Sequence, residues 1–201
     1  FRSAFLPAAE RYGVAHVIDQ WVTRRCLAWL HEGSAAREGV TRCSINISGA
    51  TLSKESFLYY VEDQLVRYPV DPRDICFEVT ETAAISNLRA ARKFFAKFKE
   101  RGCTFALDDF GSGVSTFSYL PDLPVDYLKI DGSFVRNMDP DRLNREFVRS
   151  INSIGKTMGL QTVAEFVESP LVLKLVRDLG VDYGQGFFLH RPTHATMSGE
   201  P

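Results

Sequence analysis

The sequence predicts a parallel α/β fold of the (β/α)8 TIM-like barrel type, and three observations carry that expectation. Short apolar runs alternate with segments of helical periodicity, and no linker divides them; this is the pattern of parallel strands joined by crossover helices. Nearly every run closes on a polar residue: Asn46, Glu78, Asp108 with Asp109, Lys129, Glu165 and Gln185. An open doubly wound sheet gathers function at one switch point, whereas a barrel brings all strand ends to one mouth. Strand counting then gives six visible strands where a barrel has eight. Roughly two strands and a helix are therefore expected to lie ahead of Phe1.

Taken in order, Pro7 to Leu30 reads as a helix with Ile18, Val22, Cys26 and Trp29 on one face and Gly33 as its stop. A strand follows from Arg42 to Ile47. Ser53 is placed to cap the next helix, which carries Phe57, Val61 and Leu65. Asp74 to Val79 is the second strand, leading into Thr80-Glu81-Thr82. Leu88, Ala91, Phe95 and Phe98 mark a third helix ended by Gly102. The third strand is Cys103 to Asp108, and a loop of more than a dozen residues runs on through Pro121 and Pro124. Loops of that length inside compact domains are commonly functional. Asp126 to Ile130 is the fourth strand. A helix with Phe147, Val148, Ile151, Ile154 and Met158 follows, and Leu160 to Glu165 is the fifth strand. Ser169 and Pro170 open a short helix bearing Val172, Leu175, Val176 and Leu179. A sixth strand lies near Val181 to Tyr183. One domain is expected over residues 1–192, with a polar tail at 193–201.

The 201 residues suffice for one sizeable core, and 45 % hydrophobic with 24 % charged residues is the composition of a globular domain. A net charge of −1 leaves no basic surface for duplex nucleic acid or an anionic membrane. There is no run apolar enough to span a bilayer. Cys26, Cys43, Cys76 and Cys103 form no C-x-x-C pair, which disfavours zinc. They read as core residues of a reducing compartment, so the domain is expected to be cytoplasmic, with a parent protein that can be membrane-tethered. No G-x-x-x-x-G-K-[ST] loop is present, which argues against a P-loop nucleotidase.

The strand-end residues gain meaning together. Asn46 alone reads as a turn cap, and Gln185 between two glycines as a turn residue. Glu78 and Lys129 are different, because each sits between apolar neighbours in a buried strand and needs a partner. Asp108 and Asp109 repel each other unless a cation is shared between them. Glu165 joins the set, while Glu168 reads as a solvated helix start. Acids, one amide and one lysine at one mouth call for hard cations, Mg²⁺ or Mn²⁺. Two metals sharing Asp108 would suit in-line attack on a phosphodiester. An enolase-like lyase is an alternative from the same residues, with acids and a lysine beside Mg²⁺; the Asp-Asp-Phe-Gly-Ser-Gly loop speaks against it.

The ordered motifs Ser-Ile-Asn46-Ile-Ser, Phe-Glu78-Val-Thr-Glu81-Thr, Leu-Asp108-Asp109-Phe-Gly-Ser-Gly, Leu-Lys129-Ile-Asp-Gly, Val-Ala-Glu165-Phe-Val-Glu168 and Tyr-Gly-Gln185-Gly resemble the EAL domains, bacterial cyclic-di-GMP phosphodiesterases. The resemblance runs from Phe5 to Pro192. It implies an EAL-type barrel that hydrolyses cyclic di-GMP to linear pGpG with a two-metal Mg²⁺ or Mn²⁺ site. Asn46, Glu78, Asp108, Asp109 and Glu165 would be its ligands. Lys129 would orient or deprotonate the attacking water, with Asp109 and Glu165 beside it in catalysis. Gln185 would bind substrate, and Glu81 would anchor the loop after Asp109. A homodimer and an N-terminal sensory or GGDEF-type domain in the parent protein are implied as well. The alternative within the family is an inactive cyclic-di-GMP receptor. Two departures stand out. The Glu-Ala-Leu segment that names the family would precede residue 1, so the chain alone is expected to be an incomplete phosphodiesterase. Phe166 stands where the family usually has glycine, and its bulk is expected to shift Glu165 or narrow the pocket.

Overall fold

The computed structural model describes residues 8–9, 11–33, 42–113, 117–139 and 141–193. Helix α1 (Ala15–Glu32) leads to β1 (Cys43–Asn46), the short α2 (Gly49–Leu52) and α3 (Glu55–Arg67). Then come β2 (Ile75–Thr80), α4 (Glu81–Ser86), α5 (Leu88–Lys99) and β3 (Thr104–Phe110). A 3-10 turn at Phe117–Asp122 precedes β4 (Tyr127–Ile130), α6 (Gly132–Arg136) and α7 (Arg142–Thr157). A further 3-10 turn at Pro72–Asp74 leads into β2, and β5 (Gln161–Ala164), α8 (Pro170–Asp178) and β6 (Tyr183–Gly184) follow α7. The strands follow chain order through the sheet, and the pairings of β1 with β2, β3 with β4, β4 with β5 and β5 with β6 are all parallel. This is the parallel α/β, TIM-like alternation that the sequence predicts. No helix among the described residues is long and apolar enough to cross a membrane.

The chain divides into two compact units. The first holds the described residues up to Val79 and Ala83–Phe105. Its core is aromatic: Phe57, Phe77, Phe94, Phe95, Phe98 and Phe105 are all buried. Phe95 and Phe105 have ring centroids 4.5 Å apart, Phe94 and Phe98 4.8 Å, and Phe77 meets Phe94 edge-on at 5.3 Å. Each buried ring contributes about 1.5–3 kcal/mol of burial, with offset and edge-on contacts adding to it. β2 is buried along nearly its whole length, as its unbroken Ile-Cys-Phe-Glu-Val run requires. Thr104 at the start of β3 donates its hydroxyl to the Ile75 carbonyl at 3.1 Å.

Two local expectations are corrected here. The buried face of α1 is Ala15, Asp19, Thr23, Leu27 and Leu30, and the expected Ile18, Val22, Cys26 and Trp29 lie half-buried on its flank. The apolar pattern misleads because two of the inward positions are polar. Ser53 does not cap α3; Lys54 holds that position without a side-chain bond. Ser53 instead closes α2, its hydroxyl donating to Ala50 O at 2.9 Å, while Ser48 caps the start of α2. The first expected helix does not run unbroken from Pro7: the chain turns at Tyr12 and Gly13, with Gly13 at φ 69°, and α1 starts only at Ala15. Pro7 and most of the expected tail lie outside the described residues.

The second unit holds Thr80–Thr82 and the described chain from Ala106 on. Helix α7 buries Val148, Ile151, Asn152 and Gly155. Behind β5, Thr162 donates its hydroxyl to Asn152 Oδ1 at 2.6 Å and its N–H to Asp182 at 2.8 Å. Ser169 caps α8 by accepting from Val172 N at 3.1 Å, with Pro170 at the first turn.

Candidate metal centre

β3 extends two residues past its expected end, and that extension shapes the site. Successive strand residues point to opposite faces, so Asp108 and Asp109 in a regular strand would diverge. The register between β3 and β4 shifts between Leu107 and Phe110, and Asp109 takes φ 52°. Such an irregularity re-aims a side chain, and Asp tolerates the left-handed region better than most residues. Asp108, Asp109 and Glu165 consequently offer carboxylate oxygens that all lie within 4.8 Å of one another. Asp109 N also donates to Asp108 Oδ1 at 3.1 Å.

Lys129, buried in β4, reaches two of these acids. Its Nζ lies 2.8 Å from Asp108 Oδ1 and 2.9 Å from Glu165 Oε1. One lysine does not balance three acids. Burial pushes the Glu165 carboxyl above the ordinary glutamate range; Lys129 pulls it down and Asp108 pushes it up. Asp109 is raised likewise, first by burial, then by Asp108 and Asp131, against Lys129. An all-oxygen donor set with surplus negative charge fits a hard divalent cation.

Glu165 is followed by Phe166, also at φ 52°. A glycine would adopt that conformation without strain. The phenylalanine is accommodated by its neighbours. Its ring lies where a Cβ on Gly132 would be, 1.9 Å from Phe166 Cδ2, and the Arg136 guanidinium sits 4.4 Å from the ring centroid. Arg136 Nε also contacts Glu168 Oε2 at 3.2 Å. Glu165 keeps its contact with Lys129 in this arrangement.

Glu81, 1 % exposed, accepts from Gly111 N at 2.9 Å through Oε2, and the Tyr119 hydroxyl donates to Oε1. Contact with Glu81 and burial raise the Tyr119 phenol, burial being the larger cause. Gln185 is exposed; its N–H donates to Ala164 O at 2.8 Å and its carbonyl accepts from Val167 N at 2.9 Å. Gly186 beside it has no room for a side chain, since a Cβ would come within 2.3 Å of Val167 N and O.

In the first unit, Asn46 at the end of β1 is exposed and pairs in register with Glu78 of β2, which is 7 % exposed. Ile47 N donates to Glu78 O at 2.8 Å. Sequence reasoning missed Tyr119 and Asp131. Asp131 caps α6, accepting from Ser133 N at 2.7 Å, and it acts on Asp109. Its place directly after the Lys129 strand was the available signal for it. Tyr119 carried none beyond an aromatic in a long loop.

The chain is 39 % identical over 189 residues to the cyclic di-GMP phosphodiesterase PdeB of Shewanella oneidensis, covering 94 % of this chain and 22 % of that protein. It is 35 % identical to the cyclic di-GMP phosphodiesterase PdeA of Borreliella burgdorferi, covering 91 % and 27 %. The chain thus spans about a quarter of the length of these curated relatives. Among solved structures, the PaMucR phosphodiesterase in complex with c-di-GMP superposes with a TM-score of 0.90 at 30 % identity, covering 96 % of this chain and 78 % of that one. The FimX EAL domain of Pseudomonas aeruginosa bound to c-di-GMP gives 0.87 at 28 %, covering 96 % and 77 %. The sequence model of the EAL domain matches residues 2–192, and the chain belongs to that family.

Proposed function

We propose that the protein hydrolyses cyclic di-GMP to linear pGpG in bacterial second-messenger signalling, using Mg²⁺ or Mn²⁺. The observation that carries this reading is the convergence of Asp108, Asp109 and Glu165, two of them, Asp108 and Glu165, paired with Lys129, in a chain similar to named cyclic-di-GMP phosphodiesterases. Asp108, Asp109 and Glu165 would hold divalent cations, and Asn46 and Glu78 keep the ligand roles that family resemblance gives them. Bound there, the cations would supply charge neutralisation for attack of water on a phosphodiester.

The chain's own residues do the rest. Lys129, held between Asp108 and Glu165, orients the attacking water and takes part in moving its proton. Asp109 and Glu165 fix that water's hydrogen bonds. Gln185, on the exposed turn after β6, contacts the nucleotide. Glu81 holds the loop after Asp109 through Gly111 and Tyr119. A homodimer and an N-terminal sensory or GGDEF-type domain belong to the same reading. So does a cytoplasmic location, which suits free thiols at Cys26, Cys43, Cys76 and Cys103.

The test is incubation of the full-length protein with cyclic di-GMP and Mg²⁺ or Mn²⁺, the products being separated by chromatography. Linear pGpG appearing only with the metal is the expected result. Tight binding of the nucleotide without cleavage would replace the enzyme with a receptor, and neither binding nor cleavage would overturn both.

A further inference from the structure

Asp19 is an acid on the inward face of α1, 8 % exposed. Burying a carboxylate is costly unless its oxygens are bonded. Both of its hydrogen bonds go to one residue. Ser48 donates its backbone N–H to Asp19 Oδ2 at 2.9 Å and its hydroxyl to the same oxygen at 2.7 Å. Ser48 in turn caps α2, accepting from Thr51 N at 3.3 Å, and its Oγ lies 2.9 Å from Thr51 Oγ1.

Ser48 stands two residues after Asn46. Between them, Ile47 N is bonded to the Glu78 carbonyl. The backbone leaving Asn46 is therefore tied at two successive amides, one to β2 and one to α1. To cap a four-residue helix the Ser48 oxygen need only accept from Thr51 N, and an apolar residue at position 19 would fill α1's inward face without desolvating a charge. What the carboxylate adds is a fixed position for the end of β1. Groups that orient a metal's ligand from behind influence metal affinity strongly.

We propose that Asp19 is a positioning residue for Asn46, acting through Ser48 to hold that amide as a metal ligand; this rests on the metal-dependent reading above. The test measures Mn²⁺ and Mg²⁺ binding to the full-length protein by calorimetry without nucleotide, alongside thermal unfolding without metal. Asp19→Leu should weaken metal binding by about tenfold or more, with little change in metal-free unfolding temperature. Asp19→Asn should stay near the unaltered protein, because its amide oxygen can accept both Ser48 bonds. Ser48→Ala, which removes the hydroxyl bond and leaves the backbone one, should fall between them, and it reads the effect should Asp19→Leu not fold. Unchanged metal affinity in Asp19→Leu, or in Ser48→Ala if the former is unfolded, would overturn the inference. So would an unfolding temperature that drops while metal affinity holds, or an Asp19→Asn variant as damaged as Asp19→Leu. If the unaltered protein bound neither cation, the metal-dependent reading itself would fall, and the inference with it.

Discussion

In the first unit the residues that decide the structure are phenylalanines at van der Waals contact; in the second they are three clustered acids and one lysine that pairs with two of them. Among the described residues, non-glycine positions with positive φ are Asp109 and Phe166, both in the second unit and both adjacent to a site acid. Rings of similar size can substitute for one another in an aromatic core, and a loss there is felt as lost burial. A cluster of like charges has no such tolerance, because its components repel until something is bound. Strained backbone and surplus charge at the same place are what a binding site shows and a stability core does not. Substitutions in the two units should therefore separate activity from stability.

The largest effect is expected at Lys129. Lys129→Ala should lower kcat by about 10²–10⁴-fold, the usual range for loss of a group that handles a proton. Cyclic di-GMP affinity should remain largely intact. Single-turnover kinetics with a parallel binding measurement would show it; normal turnover would remove Lys129 from the chemistry. The counterpart in the other unit is Phe105→Ala. Phe105 is fully buried against Phe77 and Phe95, so the change should cost about 3–5 kcal/mol in urea unfolding. Folded Phe105→Ala protein should still bind divalent cations with near-normal affinity, and a stability loss below that range would mean the cluster repacks.

Glu81 tests whether the site's loop depends on one buried carboxylate. Glu81→Gln puts an amide N–H where one of two donors, Gly111 N or the Tyr119 hydroxyl, now finds an oxygen. A buried bond lost this way costs about 1–3 kcal/mol. If that loss is local, the Gly111 amide should exchange with solvent about fivefold faster or more, since each 1.4 kcal/mol is a factor of ten. Unchanged exchange at Gly111 would show the loop is held by other contacts.

What was legible in the sequence follows the same division. The alternation of strands and helices was readable because β2 is a near-continuous apolar run and α5 repeats phenylalanines at helical spacing. Glu78 and Lys129 were readable as buried charges because each stands between apolar strand neighbours, and a buried charge needs a partner; Lys129 finds two acids. The inward face of α1 was not, because Asp19 and Thr23 break the apolar pattern for the sake of tertiary bonds. Nor was the bulge that turns Asp109 toward Asp108; a φ of 52° on a non-glycine residue leaves no mark in the sequence. Phe166 drew notice as a departure from the family motif, but its accommodation depended on Gly132, thirty-four positions earlier in the chain.

That pairing gives the smallest expected effect. Phe166 holds a left-handed backbone that costs a side-chain-bearing residue roughly 1–2 kcal/mol. Phe166→Gly relieves the strain but loses a half-exposed ring, its packing on Gly132, and an Arg136 contact worth about 0.5–1 kcal/mol at an exposed site. The opposing terms should leave stability within about 1 kcal/mol of the unaltered protein. Gly132→Ala exposes the coupling. Alanine suits a helix better than glycine, by about 1 kcal/mol. With Phe166 present, however, the new methyl would meet the ring at 1.9 Å, and overpacking of this kind costs about 1–3 kcal/mol. In the Phe166→Gly background the collision is gone and the alanine should become neutral or stabilising. A urea-unfolding cycle over the two single variants and the double variant should therefore show a favourable interaction energy between the changes. If Gly132→Ala were equally costly in both backgrounds, the glycine would be needed for its own backbone, and the accommodation of Phe166 would have to come from elsewhere.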